Sequence, residues 1–550
     1  MNLIILNLYY LIILFSIIGY GYFLSNILKL NINAKEVVLF GILGIIFLTF
    51  ISYLTNIFSP HGFTHNIIVH SIGIIIFLSA IKSEAILKKK IYVIVILSII
   101  IVCFSLLSKT HDDFGWYHLP YTLNLSQNKF QYGLGHFNHG FRTPSSLFYL
   151  NSLFYLPGIK FYSFNFAQLY IFLFSLIYFY KKIFNRKNSS FVFFYSLLAF
   201  IFISVVFYRL AEHGTDRSGQ ALLFIVIVLI LEILSKNLIE IKKINIIILL
   251  LVYLITIKTY FVIFILLMLP ILMLIKSDYS IYKKIFFSKT IILSVLFLFL
   301  HFHVQLANSG CLLYPMNFTC YSDFTWSINR IEITNMGQWY ELWAKSGANP
   351  NFRVENPTEY VSQFNWVSNW MSNYFFNKMS DLILGIILIL VICFLLFKKK
   401  NKKINKQIKI YGLSYAILLL FLIWFTKFPQ LRYGGFIIIA NLFFLPACLF
   451  LLNYQLNKKV LKSAKYIVAL SLIIFAGRNI DRLYLEINSY NYKPFKNAFF
   501  HIDSYKYNEI KLNSNIILNR TEGSCWATEQ PCTHRGGIKA IKKYNYVIYY

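Results

Sequence analysis

The sequence predicts an all-α polytopic membrane protein with about fourteen transmembrane helices. Of its 550 residues, 58% are hydrophobic and only 13% are charged, whereas a soluble domain is about half apolar and about a quarter charged. The apolar residues form blocks of roughly 17 to 25, the length that spans a hydrocarbon core of about 30 Å. Lysine-rich segments separate alternate blocks, which is typical of cytoplasmic loops.

The helices are placed from the centres of these blocks. The first block, Leu3 to Leu28, lacks a basic leader and a clear cleavage site, so we expect it to remain as a helix. Blocks eight and nine are separated only by Lys258–Tyr260 and could form one kinked span, so the predicted range is about 12 to 15 spans. The fourteen centres lie near residues 15, 46, 74, 98, 171, 199, 228, 250, 268, 296, 389, 417, 444 and 470.

The loops between the predicted helices form two populations. Every odd-to-even loop is rich in lysine, including the run at 398–409, which predicts that these loops are cytoplasmic and both termini lie outside. The even-to-odd loops hold most of the His, Asp, Glu, Trp and Gly outside the helices, at 108–160, 208–219, 305–378 and 426–434. The net charge of +31 is therefore explained by the lysines of the cytoplasmic loops. The sequence has no separate basic domain that would bind a nucleic acid.

This pattern divides the chain into six segments. Residues 144–158 are apolar but short and bounded by prolines, which suits a helix lying at the membrane interface. The mixed tail is expected to form a small, strand-rich extracytoplasmic cap. The segments are N-terminal helices 1–107, a first outer loop with interfacial helices 108–160, central helices 161–304, a large outer loop 305–378, C-terminal helices 379–477 and an outer tail 478–550.

The seven cysteines fall into two groups. Three lie inside apolar blocks and are interpreted as packing residues: Cys103, Cys393 and Cys448. Cys311 with Cys320, and Cys525 with Cys532, are close pairs in polar segments, so each pair is a disulfide candidate if it faces an oxidising compartment. Neither pair has the CxxC spacing of a zinc site.

The first outer loop concentrates side chains that can carry chemistry. Its sequence THDDFGWYH places Asp112 and Asp113 just beyond helix four. Adjacent carboxylates raise one another's pKa, which suits one of them to act as a base, although such residues also cap helices. The candidate substrate-binding side chains around them are His111, Trp116, Tyr117 and His118.

The motif DDFGWYH, after a long apolar helix and before short helices, resembles the first-loop signature of the GT-C superfamily of membrane glycosyltransferases, which includes the protein O-mannosyltransferases and the aminoarabinose transferases. The resemblance implies a GT-C-like fold, a polyprenyl-phosphate sugar donor and an inverting transfer. It assigns Asp112 as the general base and Asp113 as its acidic partner. Three predicted helices precede helix four, so a shared core would be offset in this chain.

Further segments fit this picture. The sequence EHGTDR contributes Glu212, His213, Asp216 and Arg217 as substrate-binding, second-acid or phosphate-binding candidates. Lys258 is a phosphate-binding candidate or a lysine reaching the interface. The segment NSGCLLYP at the start of the large loop resembles Gly-x-x-x-Tyr-Pro segments of the same superfamily.

The segment QLRYGG supplies Arg432, whose forked donors suit a phosphate, and Tyr433 beside it. An anchoring role at the membrane edge is the alternative for this pair. No cofactor is required by these residues, and a divalent metal held by Asp112 and Asp216 is the open alternative.

The preferred function is transfer of a sugar from a polyprenyl-phosphate donor to a glycan or lipid acceptor on the extracytoplasmic face of a bacterial cytoplasmic membrane. The alternatives are a lipid-linked glycan flippase or transporter, and an O-antigen-type polymerase or ligase. The chain contains no GxxxxGK[ST] phosphate loop and no HExxH motif, which argues against an ATP-driven pump and a zinc peptidase of these types.

Overall fold

The computed structural model describes residues 2–33, 36–83, 85–209, 214–236, 239–276, 278–397, 410–452, 456–512 and 516–550, with only the backbone of 85–90. The lysine-rich run at 398–409, Glu212 and His213 lie outside the described residues. The first ten helices are α1 Asn2–Ile27, α2 Val37–Asn56, α3 Phe63–Ser83, α4 Ala85–Phe104, α5 Leu119–Gln127, α6 Ser146–Ser152, α7 Phe166–Phe184, α8 Ser190–Val206, α9 Thr215–Lys236 and α10 Ile241–Ile257.

The second half of the chain contains ten more α-helices among the described residues. A 3-10 helix, Thr259–Met268, leads directly into the first of them. These helices are α11 Leu269–Ile275, α12 Tyr279–Phe286, α13 Lys289–Ser309, α14 Arg330–Lys345, α15 Pro357–Val361, α16 Val367–Trp370, α17 Ser380–Leu396, α18 Tyr411–Lys427, α19 Gly435–Leu451 and α20 Lys458–Tyr490.

Eight helical segments among the described residues are long and apolar enough to cross a membrane. Five shorter apolar helices of 10–17 residues accompany them. The chain is therefore an integral membrane protein, as its hydropathy predicts. A helical segment lies at each of the fourteen predicted centres.

Two predicted features differ from the structure: the end of the last helix and the environment of α6. Helix α20 continues to Tyr490 and so enters the segment assigned to the outer tail, because the polar residues that follow the apolar block contain no proline to end the helix. Helix α6 lies in the predicted interfacial segment, but all seven of its residues are buried. This helix therefore packs inside the protein, whereas an interfacial helix would expose one polar face.

Helix α9 lies at the centre of the bundle. It packs against α7, α8, α10 and α19. In an apolar stretch of 18 residues of this helix, 94% of the residues are buried. The corresponding stretches of α3, of α20 and of the helical segment Val367–Leu396, which ends with α17, are only 33% buried. Their outward side chains are apolar, for example Ile75 and Leu388. A helix that is apolar on all sides suits the interior, whereas an outer helix of a membrane protein contacts lipid.

Helices α1 and α2 approach closely because glycines face each other. A Cβ on Gly21 would lie 1.6 Å from the carbonyl oxygen of Phe40, and one on Gly44 would lie 1.8 Å from that of Ile17. Small residues allow such backbone contact between membrane helices. This pair anchors the N-terminal part of the bundle.

The tail forms the strand-containing cap that the sequence predicts. Strand β1 (Tyr507–Lys511) pairs antiparallel with β2 (Ile517–Thr521), which pairs parallel with β3 (Cys532–Thr533). Strands β4 (Ala540–Lys543) and β5 (Tyr546–Tyr549) form an antiparallel hairpin. The Tyr549 amide donates to the carbonyl of Tyr132, so the cap is joined to the first loop.

Candidate active site

A cavity of about 490 Å³ opens where the first loop, the start of α9, the large loop and the α18–α19 connection meet. Among the described residues that line it are four Arg or Lys side chains and two carboxylates. The cavity is therefore suited to an anionic ligand. These charged residues are Asp113, Arg209, Asp216, Arg217, Lys378 and Arg432.

Asp113 is the carboxylate of this cavity that a substrate can reach. It directly precedes a π-helical turn, Phe114–His118, a rare local structure often found at functional sites. Its side chain is 34% exposed, and its Oδ2 lies 4.0 Å from the Arg432 guanidinium. His111 Nδ1 accepts from the Asp113 amide at 3.1 Å. The carboxylate thus faces the cavity, and its contacts with His111 at 3.8 Å and Arg432 at 4.0 Å are longer than a direct hydrogen bond.

Asp216 is instead held by two cations. Its Oδ1 lies 2.5 Å from Lys258 Nζ, and its Oδ2 accepts from Arg432 Nε at 2.9 Å. Asp216 stands in the first turn of α9, where a negative charge also interacts favourably with the helix dipole. Because both oxygens are engaged, Asp216 positions cations and is not available as a base.

Lys258 occupies the break between α10 and the 3-10 helix. Its backbone is extended, with φ −152° and ψ 120°, which separates the two predicted blocks at the expected place. Its ammonium also lies 4.4 Å from the centre of the Tyr433 ring. Burial lowers the pKa of Lys258 to about 8, and Arg432 adds to this shift while Asp216 opposes it.

Arg432 is fixed by the loop that carries it. The Leu431 amide donates to the Tyr374 hydroxyl at 2.8 Å, and the Gln430 side chain donates to the carbonyl of Trp343 at 3.1 Å. Trp343 also lies under the Arg432 guanidinium at 5.5 Å. The negative charge of Asp216 raises the pKa of Arg432 despite burial, so this side chain remains cationic.

Gly434 allows the chain to turn directly after Arg432. Its φ is +82°, a conformation that non-glycine residues rarely adopt, and a Cβ there would lie 2.6 Å from the Phe264 ring. The turn starts helix α19 at Gly435. The sequence QLRYGG therefore places Arg432 at the cavity for a local geometric reason.

Two aromatic groups of the first loop close the cavity wall. Burial, reinforced by the charge of Asp113, raises the pKa of Tyr117, so its hydroxyl stays protonated. Burial lowers the pKa of His118 to about 4, so its imidazole is neutral near pH 7. Neither group adds charge to the site.

The structure separates the two acidic residues of the first loop. Asp113 lines the 490 Å³ cavity, whereas Asp112 and Trp116 line a second cavity of about 560 Å³ on the other side of the loop. Lys258 and Tyr433 lie behind Asp216 and do not line the first cavity. The first cavity contains Asp113, Asp216, Arg217 and Arg432, with His111, Tyr117 and His118 beside them.

No group of three or more His, Cys, Asp or Glu side chains with metal-site geometry occurs among the described residues. Asp112 faces the other cavity, and Asp216 has cations at both oxygens. Asp112 and Asp216, the two predicted metal ligands, therefore do not face a common site.

Both cysteine pairs form disulfides in the structure, Cys311–Cys320 and Cys525–Cys532. The first lies just after α13, and the second closes a turn of the cap beside the first loop. Cys103, Cys393 and Cys448 are free.

Several site residues were not identified from the sequence. Trp343 lies in α14, Tyr374 and Lys378 lie at the end of the large loop, and Gln168 lies at the start of α7. Arg142, in the first loop, is another residue to which the sequence assigned no role. It is fully buried and donates to Gly135, Tyr314 and Glu332, which joins the first loop to the large loop. Aromatic residues in a polar loop were the only available signal for Trp343 and Tyr374.

Comparisons with curated proteins and with solved structures gave no match to this chain. A family model described as "Domain of unknown function (DUF8201)" matches residues 1–439. The matched part contains Asp113, Asp216, Lys258 and Arg432. Since the match covers most of the 550 residues, the chain belongs to this family.

Proposed function

We propose that this protein is a membrane glycosyltransferase that moves a sugar from a polyprenyl-phosphate donor to an acceptor hydroxyl on the extracytoplasmic side. The observation that carries the proposal is the reachable carboxylate of Asp113 in the same cavity as the Arg432 guanidinium. A glycosyl transfer from a phosphate needs these two groups together: a base for the acceptor and a cation for the leaving group.

The charges of the cavity support an anionic donor. Arg432 is held toward the cavity by Asp216 and Trp343, and 41% of its side chain is still exposed. Arg217 and Lys378 add positive charge to the lining. A guanidinium offers paired donors that match phosphate oxygens. We therefore assign the donor phosphate to the Arg432 side of the cavity.

The proposed reaction is a displacement at the anomeric carbon of the donor sugar. The acceptor hydroxyl oxygen forms a bond to the anomeric carbon, while the bond from that carbon to the phosphate oxygen breaks. The bonding electron pair leaves with the phosphate, which Arg432 stabilises. Asp113 takes the proton of the hydroxyl. A single displacement of this kind inverts the anomeric centre.

We assign Asp113, in place of Asp112, as the base that removes the acceptor proton. The resemblance described above places Asp112 first in the acidic pair, but only Asp113 shares a cavity with Arg432. A base must lie within hydrogen-bonding reach of the proton that it removes. Asp113 meets this requirement for an acceptor held against the donor phosphate.

The test uses cells that lack the gene and are complemented with the wild type, Asp113→Asn or the exposed control Asp323→Asn, at equal membrane levels. Mass spectrometry of the cell-envelope glycans should show that Asp113→Asn resembles the empty vector and that Asp323→Asn resembles the wild type. Asp112→Asn, the same change one residue away, should retain measurable transfer. A wild-type glycan profile in Asp113→Asn would refute the proposal.

A further inference from the structure

A second cavity lies between the first loop and the C-terminal cap. It has a volume of about 560 Å³, similar to that of the candidate active site. Its walls carry Asp112, Trp116, His501, Asp503, Tyr505 and Trp526, which come from both segments. Nothing in the proposed chemistry at Asp113 uses these residues.

The two cavities share a wall. Thr110 lines both of them, and the consecutive residues Asp112 and Asp113 face opposite sides of the loop. The second cavity therefore adjoins the segment that carries the proposed base. This position suits the acceptor, because the acceptor hydroxyl must reach Asp113 while the donor occupies the Arg432 side.

The side chains of the second cavity suit a carbohydrate. Three large aromatic side chains of its lining are exposed: Trp116 at 45%, Tyr490 at 54% and Tyr505 at 42%. Aromatic rings provide flat apolar faces with a polar edge, which match the C–H face of a sugar ring. The carboxylates of Asp112 and Asp503 can accept hydrogen bonds from hydroxyl groups.

The charge of this cavity differs from that of the first. Asp112 and Asp503 face a single lysine, Lys109, and His501 lies 3.3 Å from Asp503. A phosphate would meet two carboxylates here, whereas a neutral, hydroxyl-rich ligand would find acceptors and rings. The second cavity is therefore a poor site for a second lipid phosphate.

The aromatic walls are held in place by glycines and by the cap. The ring of Trp526 lies on Gly115, where a Cβ would be 2.3 Å away, and its amide donates to the Gly115 carbonyl at 3.2 Å. The Tyr505 ring lies on Gly523 in the same way, at 2.7 Å. The neighbouring Cys525 is bonded to Cys532. Rigid aromatic side chains bind with little loss of conformational entropy.

We propose that the second cavity, formed by Trp116, Tyr505 and Trp526 with Asp112 and Asp503, binds a carbohydrate acceptor and presents its terminal sugar to Asp113. The inference rests on the proposed function for the role of acceptor. Binding of the glycan itself can be measured without any transfer reaction.

The experiment uses the purified full-length protein in detergent and fluorescently labelled oligosaccharides released from the host cell envelope by mild acid. Affinity is measured for the wild type, Trp116→Ala, Trp116→Phe, Arg432→Ala and the exposed control Tyr544→Ala. We expect Trp116→Ala to weaken binding about tenfold, since it removes a stacking ring. Trp116→Phe, Arg432→Ala and Tyr544→Ala should each bind within about threefold of the wild type.

Three outcomes would overturn this assignment. They are the absence of any bound oligosaccharide, equal binding by Trp116→Ala, and a loss in Arg432→Ala as large as that in Trp116→Ala, which would place the glycan in the first cavity. Failure of the proposed function looks different. In that case the glycan still binds and depends on Trp116, but Asp113→Asn leaves the envelope glycans unchanged.

Discussion

Helix α9 carries a carboxylate near each end, and both carboxylates are held by two basic side chains. Near its start, Asp216 contacts Lys258 and Arg432 at 2.5 and 2.9 Å. Near its end, Glu232 contacts Lys182 and Lys243 at 2.6 and 2.9 Å. The distances are nearly equal, so the two clusters cannot be distinguished by their ion pairs.

They differ in what surrounds them. Lys182 and Glu232 are 10% and 6% exposed, and Glu36 and Glu240 supply additional negative charge to the two lysines. At the other end, Arg432 is 41% exposed, faces a 490 Å³ cavity and has a reachable carboxylate, Asp113, on its far side. Buried ion pairs are weak indicators of stability or function by themselves. The open side of the Asp216 cluster is the feature that suggests chemistry.

The largest effect should come from Arg432→Ala. Removal of this guanidinium takes away a fixed donor to the leaving phosphate, so we expect the turnover number to fall about 10²- to 10³-fold. Turnover is measured with membrane vesicles and a polyprenyl-phosphate sugar donor, at matched protein level. Lys182→Met, at the closed cluster, is the paired variant and should keep the turnover of the folded protein within about threefold. An unchanged turnover in Arg432→Ala would remove the distinction between the two clusters.

The next effect concerns stability at the closed cluster. Glu232→Gln leaves two buried lysines without their shared carboxylate, so we expect a loss of roughly 3 kcal/mol of stability, the low end for such a change, because Glu36 and Glu240 remain nearby. The measurement is thermal unfolding in detergent. Joint replacement by Lys182→Met, Glu232→Leu and Lys243→Met should recover most of the loss. If the triple variant is as stable as the wild type but has lost transfer activity, the closed cluster has a functional role.

The smallest effect is a pH dependence at the open cluster. Lys258 has a pKa lowered to about 8, and lysine is cationic below its pKa, so raising the pH through 8 removes a positive charge beside Asp216. We expect kcat/KM, which reports groups of the free enzyme, to fall about tenfold between pH 7 and pH 9. Lys258→Arg, which stays charged, should remove this decrease. The same decrease in Lys258→Arg would assign it to another group.

Much of the fold follows from the sequence because a membrane span must be long and apolar, and because lysines mark alternate loops. The break at Lys258 was also visible, since charged and polar residues interrupt an apolar run. The burial of α6 was not visible. Its composition suits either an interfacial or an interior helix, and only tertiary packing decides between them.

The candidate site was predictable as a set of residues but not as an arrangement. Asp216, Lys258 and Arg432 each stand at the end of an apolar block, where a structural role was also reasonable. That role was a helix cap for Asp216 and membrane anchoring for Lys258 and Arg432. Their contacts join positions 42 and 216 residues apart, and a single sequence contains no signal for such pairing. Asp112 and Asp113 point in different directions because successive residues of a helical turn are rotated by about 100°, and local composition does not specify which of the two faces Arg432.

The pairing of Tyr132 with Ile548 has a consequence for biosynthesis. The loop that contains Asp113 is synthesised before its partner strand β5, because the helices of the bundle lie between them in the sequence. Until β5 has been made, the first loop lacks the backbone contact between Tyr132 and Tyr549 that joins it to the cap. The first loop and the cap can therefore make contact only after the intervening helices have been synthesised.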